Sequence, residues 1–170
     1  MIPTAFARIG DQVVIHGSAA SRMLKLLCAG APGCLTVTLL DGLVLARSAF
    51  HHSMNYRSVV VVGTPHEISD PAHKSRALDA IVEHIVPGRL GSVRAASEQE
   101  LRATRVASFA LDEASAKLRT GPPKDDDDDY ALPAWAGELP LRLQALAPCA
   151  DPRLSPGIAL PAHVSAWRRG

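Results

Sequence analysis

The segment 51–63, "HHSMNYRSVVVVG", places two imidazoles, an amide, a phenol, a guanidinium and a hydroxyl directly in front of a run of four valines. Side chains alternate between the two faces of a β-strand. On such a strand Asn55 and Arg57 face one side, whereas Tyr56 and Ser58 face the other. These groups are suited to binding phosphate and carbonyl oxygens. The segment therefore predicts a ligand-binding strand; the alternative is an ordinary strand whose polar end reaches solvent.

A second polar cluster, "HGSAASR" over residues 16–22, lies where a strand-like pattern changes to a helical one. Ser18 is predicted to be the helix N-cap, because serine is a preferred capping residue. A hydroxyl, backbone N–H groups and the guanidinium of Arg22 could together hold a phosphate. The alternative is a capped helix followed by a solvated arginine.

The third cluster, "DDDDDYALPAWAG" over residues 125–137, joins an acidic run to a proline-rich loop. It lacks the glycine and terminal glutamate of an EF-hand loop, so it predicts solvated charge. Trp135 in that loop could cover a planar ligand or fill a core. His51 and His52 are adjacent and rarely chelate one ion together, so no metal site is predicted.

Composition places the chain among ordinary globular proteins. It has 170 residues, 47% of them hydrophobic, and a formal net charge of +1. Such a balance gives no field for nucleic acid or an anionic membrane. Neither a membrane-length apolar run nor a signal-peptide pattern is present, so we expect a cytoplasmic protein. The three cysteines, Cys28, Cys34 and Cys149, lack the spacing of a disulfide framework or zinc site.

Several elements must position these groups. Residues 2–8 alternate like a strand, and "DQVVIHG" after Gly10 is its predicted hairpin partner. The helix predicted to begin at Ser18 ends at Gly30.

Two further β-rich stretches follow that helix. "GCLTVTLL" and "LVLARS" are separated by Asp41-Gly42, a dipeptide typical of hairpin turns. Residues 55–69 predict a long strand, bent near 63–65.

The second half of the chain begins with a helical pattern. Asp70 and Pro71 predict a helix start, and apolar residues recur at helical spacing until Pro87-Gly88. "SEQE" at 97–100 fits a capping box, and "RVASFALDE" predicts a strand.

Strands without regular alternation with helices predict an α+β fold with a mostly antiparallel sheet or barrel. We assign residues 1–146 to one domain. Residues 147–170 form a proline-rich C-terminal tail.

Six segments, taken in order, resemble one known family: "IPTAFARIGD", "VVIHGSAASR", "GLVLARSAFHHSMNYRSVVVVG", "IVPGR", "SAKLRTGPP" and "DDYALPAWAG". This is the flavin-nucleotide-binding branch of the pyridoxamine 5′-phosphate oxidase-like family, which includes nitroimidazole-reductase-like proteins. The similarity covers residues 2–141, and "SMNYRSVVVVG" is its most specific part. It implies a split β-barrel with flanking helices that binds FMN at a homodimer interface.

The resemblance also implies a set of cofactor-binding residues. His16 is the candidate nearest the flavin, and Trp135 is expected to contact the flavin across the dimer. The phosphate pair is implied to be Ser21 and Arg22. The full set is Thr4, Ala5, His16, Gly17, Ser18, Ser21, Arg22, Asn55, Tyr56, Arg57, Ser58 and Trp135.

Two departures from the family pattern shape the expectations. Relatives usually carry a helix and about two strands before "IPTAFARIG", so we expect an unpaired barrel edge and weaker FMN binding in a chain that starts at Met1. Pyridoxamine-phosphate oxidases carry an Arg-x-His element after the C-terminal tryptophan. The segment "WAGELPLRLQAL" has Arg142 without that histidine, so vitamin B6 oxidase activity is not expected.

The leading hypothesis is an FMN-dependent oxidoreductase, whose small-molecule substrate or electron acceptor the sequence does not name. One alternative is a non-catalytic flavin-binding or carrier protein. The other is a haem-handling split-barrel relative, because a fold does not determine a function.

Overall fold

The computed structural model describes residues 2–168, which form two compact units. The first unit contains the chain up to Gly33, the segment Val62–Glu113 and the chain from Gln144. The second contains Cys34–Val61 and Ala114–Leu143. The predicted C-terminal tail therefore falls within the first unit.

The first unit is built on a four-stranded antiparallel sheet of order β1-β2-β6-β5. Its strands are β1 (Phe6–Ile9), β2 (Gln12–Ser18), β5 (His66–Glu67) and β6 (Thr104–Ala110). Strands β1 and β2 form the predicted hairpin, with Gly10 at a φ of 58° in the turn. The prediction that the first strand starts at residue 2 was wrong, because β1 begins only at Phe6.

Within residues 2–168 the same unit has four helices: α1 (Arg22–Cys28), α2 (Pro71–Ile85), α3 (Glu98–Ala103) and α4 (Ala162–Ser165). A 3-10 turn covers Leu90–Ser92. The N-cap of α1 is Ser21, whose hydroxyl accepts a bond from the Leu24 N–H. Ser18 was therefore the wrong prediction. It is the last residue of β2 and pairs with Thr104, a partner distant in sequence.

The core of the first unit lies between α2 and the sheet. It consists of buried small and branched side chains, each at most 2% exposed: Ala7, Val14, Ala77, Ile81 and Val106. Asp70 caps α2 by accepting the His73 N–H, and Pro71 is the first helical residue, as predicted. The capping box of α3, between Ser97 and Glu100, is also confirmed.

The second unit contains the other four-stranded sheet, of order β7-β4-β3-β8. Its strands are β3 (Gly33–Leu45), β4 (Ser53–Gly63), β7 (Ala114–Arg119) and β8 (Gly137–Pro140). Two 3-10 turns cover Ala49–His51 and Asp127–Ala131.

The predicted hairpin turn at Asp41-Gly42 was wrong, because both residues lie inside the continuous strand β3. A type I′ turn needs positive φ at both central residues, and neither has one. The glycine instead permits close approach of β8, since a Cβ there would lie 3.1 Å from the Leu139 carbonyl oxygen.

The long strand predicted for 55–69 is two strands. β4 ends at Gly63, and β5 starts at His66 in the other sheet. Within residues 2–168 the strands form two open antiparallel sheets and no closed barrel, which confirms the α+β class. No helix in this range is long and apolar enough to cross a bilayer.

Candidate cofactor-binding site

The loop from β2 into α1 brings three predicted phosphate-binding residues together. The Ser18 hydroxyl accepts the Ala20 N–H at 3.1 Å, and its carbonyl accepts the Ser21 N–H at 2.9 Å. The Ser21 hydroxyl caps α1. Both serines therefore hold the loop in shape, while Arg22 is exposed at the first position of the helix. The exposed guanidinium of Arg22 therefore lies next to a hydrogen-bonded turn, which is a suitable arrangement for binding an anionic group.

His16 lies on β2 opposite Val106 and is partly buried. Its Nδ1 atom is buried and has no hydrogen-bond partner in the described part of the chain. A buried polar atom left unpaired costs roughly 1–3 kcal/mol, so a polar ligand group there would be favourable. Gly17 beside it is needed for packing, because a Cβ would lie 3.0 Å from the Leu24 side chain.

Thr4 and Ala5 precede β1 instead of lying on it. The Thr4 hydroxyl donates to the Ala5 carbonyl at 3.2 Å, and Ala5 packs against the core of the first unit. Their role as cofactor-binding residues stays a prediction.

Asn55, on β4 of the second unit, is buried and bonded to protein groups on both ends of its amide. Its nitrogen donates to the Gly121 carbonyl at 3.2 Å and to the Glu138 carboxylate, and its oxygen accepts from Arg119. Arg119 also donates to the Gly121 carbonyl at 3.1 Å. This geometry makes Asn55 the centre of a polar network that joins β4, β7 and β8.

Arg57 is also engaged with the protein, because its guanidinium donates two bonds to Asp41, at 3.0 and 2.8 Å. This bidentate hydrogen bonding lowers the pKa of the Asp41 carboxyl and raises the pKa of Arg57. On the opposite face of β4, Tyr56 is partly buried and Ser58 shares a 2.8 Å hydrogen bond with Thr38. Asn55 and Arg57 therefore bond to carboxylates from one face of β4, whereas Tyr56 and Ser58 lie on the other face, as the alternation predicted.

Trp135 lies in the loop before β8, and 71% of it is exposed. Its ring rests against Gly137, where a Cβ would lie 3.0 Å from the indole. The exposed position excludes the core-filling alternative within the described chain. An exposed flat ring seated on a glycine can cover a planar ligand.

Asp126, Asp127 and Asp128 of the acidic run are exposed, in agreement with the predicted solvated charge, whereas Asp125 is bonded to the protein. Asp125 accepts bonds from the Arg47 backbone and side chain, both at 3.0 Å, and Arg47 lies over the Tyr130 ring. Burial, the largest influence on the Asp125 carboxyl, opposes ionisation. Hydrogen bonds from the side chain and backbone of Arg47 and the backbone of Ser48 outweigh it and hold the pKa low.

His51 is drawn to the same segment. Potential ligand atoms of His51, Asp126 and Asp129 lie within 4.8 Å of one another. Sequence spacing could not show this group, because the histidine and the aspartates are about 75 positions apart and only the fold joins them.

The C-terminal segment contributes a second buried imidazole atom. His163 Nε2, on α4, is buried and has no hydrogen-bond partner among residues 2–168. Trp167 follows α4 and donates from Nε1 to the Ile85 carbonyl at 2.8 Å. Neither residue was predicted from the sequence, in which this region shows only the composition of a proline-rich tail.

A sequence model of the pyridoxamine 5′-phosphate oxidase family matches residues 1–118. The chain belongs to this family. The predicted family is thereby confirmed, and the two sheets with their helices are its flavin-binding split-barrel fold. No curated protein matches the chain.

Two solved structures of this fold resemble nearly the whole chain. The flavocytochrome Anf3 from Azotobacter vinelandii is 47% identical, with a TM-score of 0.93, over 99% of this chain and 78% of that one. An FAD and haem binding protein from Mycobacterium smegmatis is 42% identical, with a TM-score of 0.92, over 96% and 80% of the two chains.

A third structure supports the fold alone. It is a protein provisionally assigned to 5-nitroimidazole antibiotic resistance in Bacteroides thetaiotaomicron VPI-5482. It is 23% identical, with a TM-score of 0.54, over 68% of this chain and 66% of that one.

Proposed function

We propose that this protein is a redox protein that binds both a flavin and a haem. One observation carries the proposal: the two proteins named for flavin and haem binding are 47% and 42% identical to it over 99% and 96% of its length. The flavin half keeps the sequence-based hypothesis of a flavin-dependent oxidoreductase. The haem half takes up the alternative of a haem-handling relative.

FAD is the flavin that we propose, in preference to the FMN predicted from the family resemblance. The M. smegmatis relative is named for FAD. Arg22 would bind its phosphate groups, because a guanidinium forms strong charge-assisted bonds to phosphate oxygens. His16 Nδ1, which lacks a partner among the described residues, would hydrogen-bond to the flavin. Arg57 and Asn55 would contribute less, because Asp41, Arg119 and Glu138 already engage them.

In this proposal His163 would bind the haem iron. Histidine is a common haem ligand and binds through a ring nitrogen. The buried Nε2 of His163 has no partner within residues 2–168, so the chain offers a nitrogen suited to this role. A flavin can accept two electrons from a donor, and a haem iron exchanges electrons one at a time.

We further propose a homodimer, with Trp135 contributed to the flavin of the partner copy. Apolar side chains of the second unit stand exposed, including Leu118 at 63%, Leu143 at 63% and Val59 at 40%. Exposed apolar groups in such number mark interaction surfaces, and two-fold association is the commonest kind. Light scattering of the loaded protein should give twice the chain mass, whereas a monomer with a full complement of flavin would contradict the shared site.

The proposed function is tested by titrating cofactor-stripped protein separately with FAD, FMN and haemin. We expect one FAD and one haem per chain, with FMN bound more weakly than FAD. Binding of neither cofactor would overturn the proposal. Flavin binding without haem binding would leave only the flavoprotein half, and tighter binding of FMN would restore the original prediction.

A further inference from the structure

We infer that Trp167 is a positioning residue, which acts with Gly88 and Glu83 to hold the His163 imidazole in place for the haem iron. The inference rests on the proposed function for the identity of the ligand. The evidence for the positioning device itself is the packing of the C-terminal segment on the end of α2.

The turn that follows α2 is fixed by Glu83. Its carboxylate accepts the N–H of Gly88 at 2.7 Å and that of Leu90 at 2.9 Å. The bond from Leu90 has the largest effect on the pKa of Glu83, followed by the bond from Gly88, and both lower it. The carboxylate therefore stays ionised at neutral pH and keeps the turn in one conformation.

Gly88 forms the surface on which His163 rests. Its φ is +83°, a conformation that side chains rarely adopt. A Cβ placed there would lie 3.4 Å from the His163 Cβ and 3.7 Å from its Cγ. His163 thus packs against the backbone of Gly88 at van der Waals distance.

Trp167 anchors the C-terminal end of α4, the short helix that carries His163. Its indole Nε1 donates to the carbonyl of Ile85, the last residue of α2, at 2.8 Å. The final four carbonyls of a helix lack partners within the helix, so the indole satisfies a group that needs one. Helix α4 has only four residues and cannot persist alone in water. Its orientation therefore depends on this anchor.

The two contacts together explain why the buried nitrogen of His163 can lack a partner among residues 2–168. Position 163 rests on Gly88, and position 167, one helical turn later, is tied to the end of α2. Because His163 packs on Gly88 and its helix is anchored through Trp167, the imidazole is restrained from turning toward a protein acceptor. It is instead preorganised for an incoming ligand, which lowers the entropy cost of binding.

The test compares Trp167→Phe, which keeps a ring and removes the N–H, with Trp167→Ala and His163→Gly. Phe50→Ala, at an exposed aromatic residue of the second unit, is the matched aromatic control. We measure the Soret position, the ferric spin state and the rate of haem loss to a haem scavenger. Trp167→Phe should lose haem about 2- to 10-fold faster than wild type, the effect of one hydrogen bond. Trp167→Ala should lose it faster still, and Phe50→Ala should match wild type in haem loss.

His163→Gly should lose the histidine-ligated spectrum and regain it with added imidazole. The cofactor-free proteins give an independent readout: limited proteolysis should cut the chain after Gln144 faster in Trp167→Ala than in wild type.

The outcomes separate the inference from the proposed function. If wild type binds no haem, the haem half of the proposed function fails, while the proteolysis result still tests the anchor. If wild type binds haem and His163→Gly keeps its spectrum, His163 is not the ligand. If His163→Gly loses the spectrum but both Trp167 variants match wild type, Trp167 has no positioning role.

Discussion

The two units of this protein are stabilised by different means. The first unit buries an aliphatic cluster between α2 and its sheet, with side chains such as Ile81 and Val106 almost completely excluded from solvent. The second unit has fewer buried apolar side chains, namely Val44, Ala46 and Val61, and adds bonded polar groups centred on Asn55 and on the Arg47–Asp125 pair. Burial of apolar surface is the main stabilising term in folding.

This difference indicates which unit depends mainly on its own buried core for stability. The first unit has a core of its own, so its stability should depend on packing. The second exposes residues such as Leu118 and Trp135, whose apolar area gains nothing until a ligand or a second copy covers it. We therefore expect mutations in the first unit to change stability and many mutations in the second to change binding.

The largest expected effect is on the core of the first unit. Ile81→Ala should lower the free energy of unfolding by about 2–5 kcal/mol, because it removes a buried side chain and leaves a cavity. Leu118→Ala, at an exposed position of the second unit, should change it by less than about 0.5 kcal/mol in the unliganded monomer. Urea denaturation of both variants checks this. Equal losses would show that the two units do not differ as described.

The next effect concerns binding by the loop after β2. Arg22→Ala should weaken flavin binding by about 1.5–3 kcal/mol, because it removes a charge-assisted bond to a phosphate group. Lys25→Ala, an exposed cation on the same helix, is the matched control and should have a much smaller effect. Fluorescence titration with FAD measures both. An unchanged affinity in Arg22→Ala would remove this residue from the site.

The polar network of the second unit should show a somewhat smaller effect on stability. Asn55→Ala removes the amide that bonds to Arg119 and Glu138, leaves both side chains with fewer partners, and should cost about 1–3 kcal/mol in unfolding free energy. Ser58→Ala on the other face of β4 breaks only one hydroxyl contact, with Thr38, and should cost about 1 kcal/mol or less. If Asn55→Ala instead abolished flavin binding without loss of stability, Asn55 would be a ligand-binding residue.

The smallest effect is local and depends on pH. Hydrogen bonding to Arg94 and then to Ser97 lowers the pKa of Glu100 from 4.5 to about 2. A carboxyl whose folded pKa lies below its unfolded pKa stabilises the fold above the unfolded value, and this contribution disappears as pH falls from 4.5 to about 2. Glu100→Gln should therefore flatten the loss of thermal stability across that range. Glu98→Gln, an exposed carboxyl on the same helix, should leave the pH dependence close to that of wild type.

Local signals in the sequence predicted the elements that depend on local interactions. Asp70 with Pro71 and the Ser97–Glu100 capping box form bonds within a few residues, so their sequence pattern was sufficient. Asp41-Gly42 was misread because its conformation depends on distant partners, namely Arg57 and the backbone of Leu139. Ser18 was misread for the same reason, since pairing with Thr104 keeps it in β2.

For the candidate site, sequence motifs indicated the segments involved but not the contacts that their side chains make. Family resemblance pointed to the 16–22 loop and to β4, because contiguous motifs carry that information. It could not show that Asn55 and Arg57 are engaged by protein groups contributed from other strands. His163 was missed because its significance lies in a contact with Gly88, in the turn after α2, and no local motif marks a contact so distant in sequence.

The central claim, a redox protein with flavin and haem bound to one chain, is tested most directly by an anaerobic reductive titration followed by absorbance. NADH, NADPH or dithionite is added in steps to protein loaded with FAD and haemin. We expect the flavin band to bleach and ferrous haem bands to appear in the same titration. Three electrons should be consumed per chain, two by the flavin and one by the iron. Reduction of a flavin with no haem spectrum at any stage, in protein exposed to excess haemin, would contradict it.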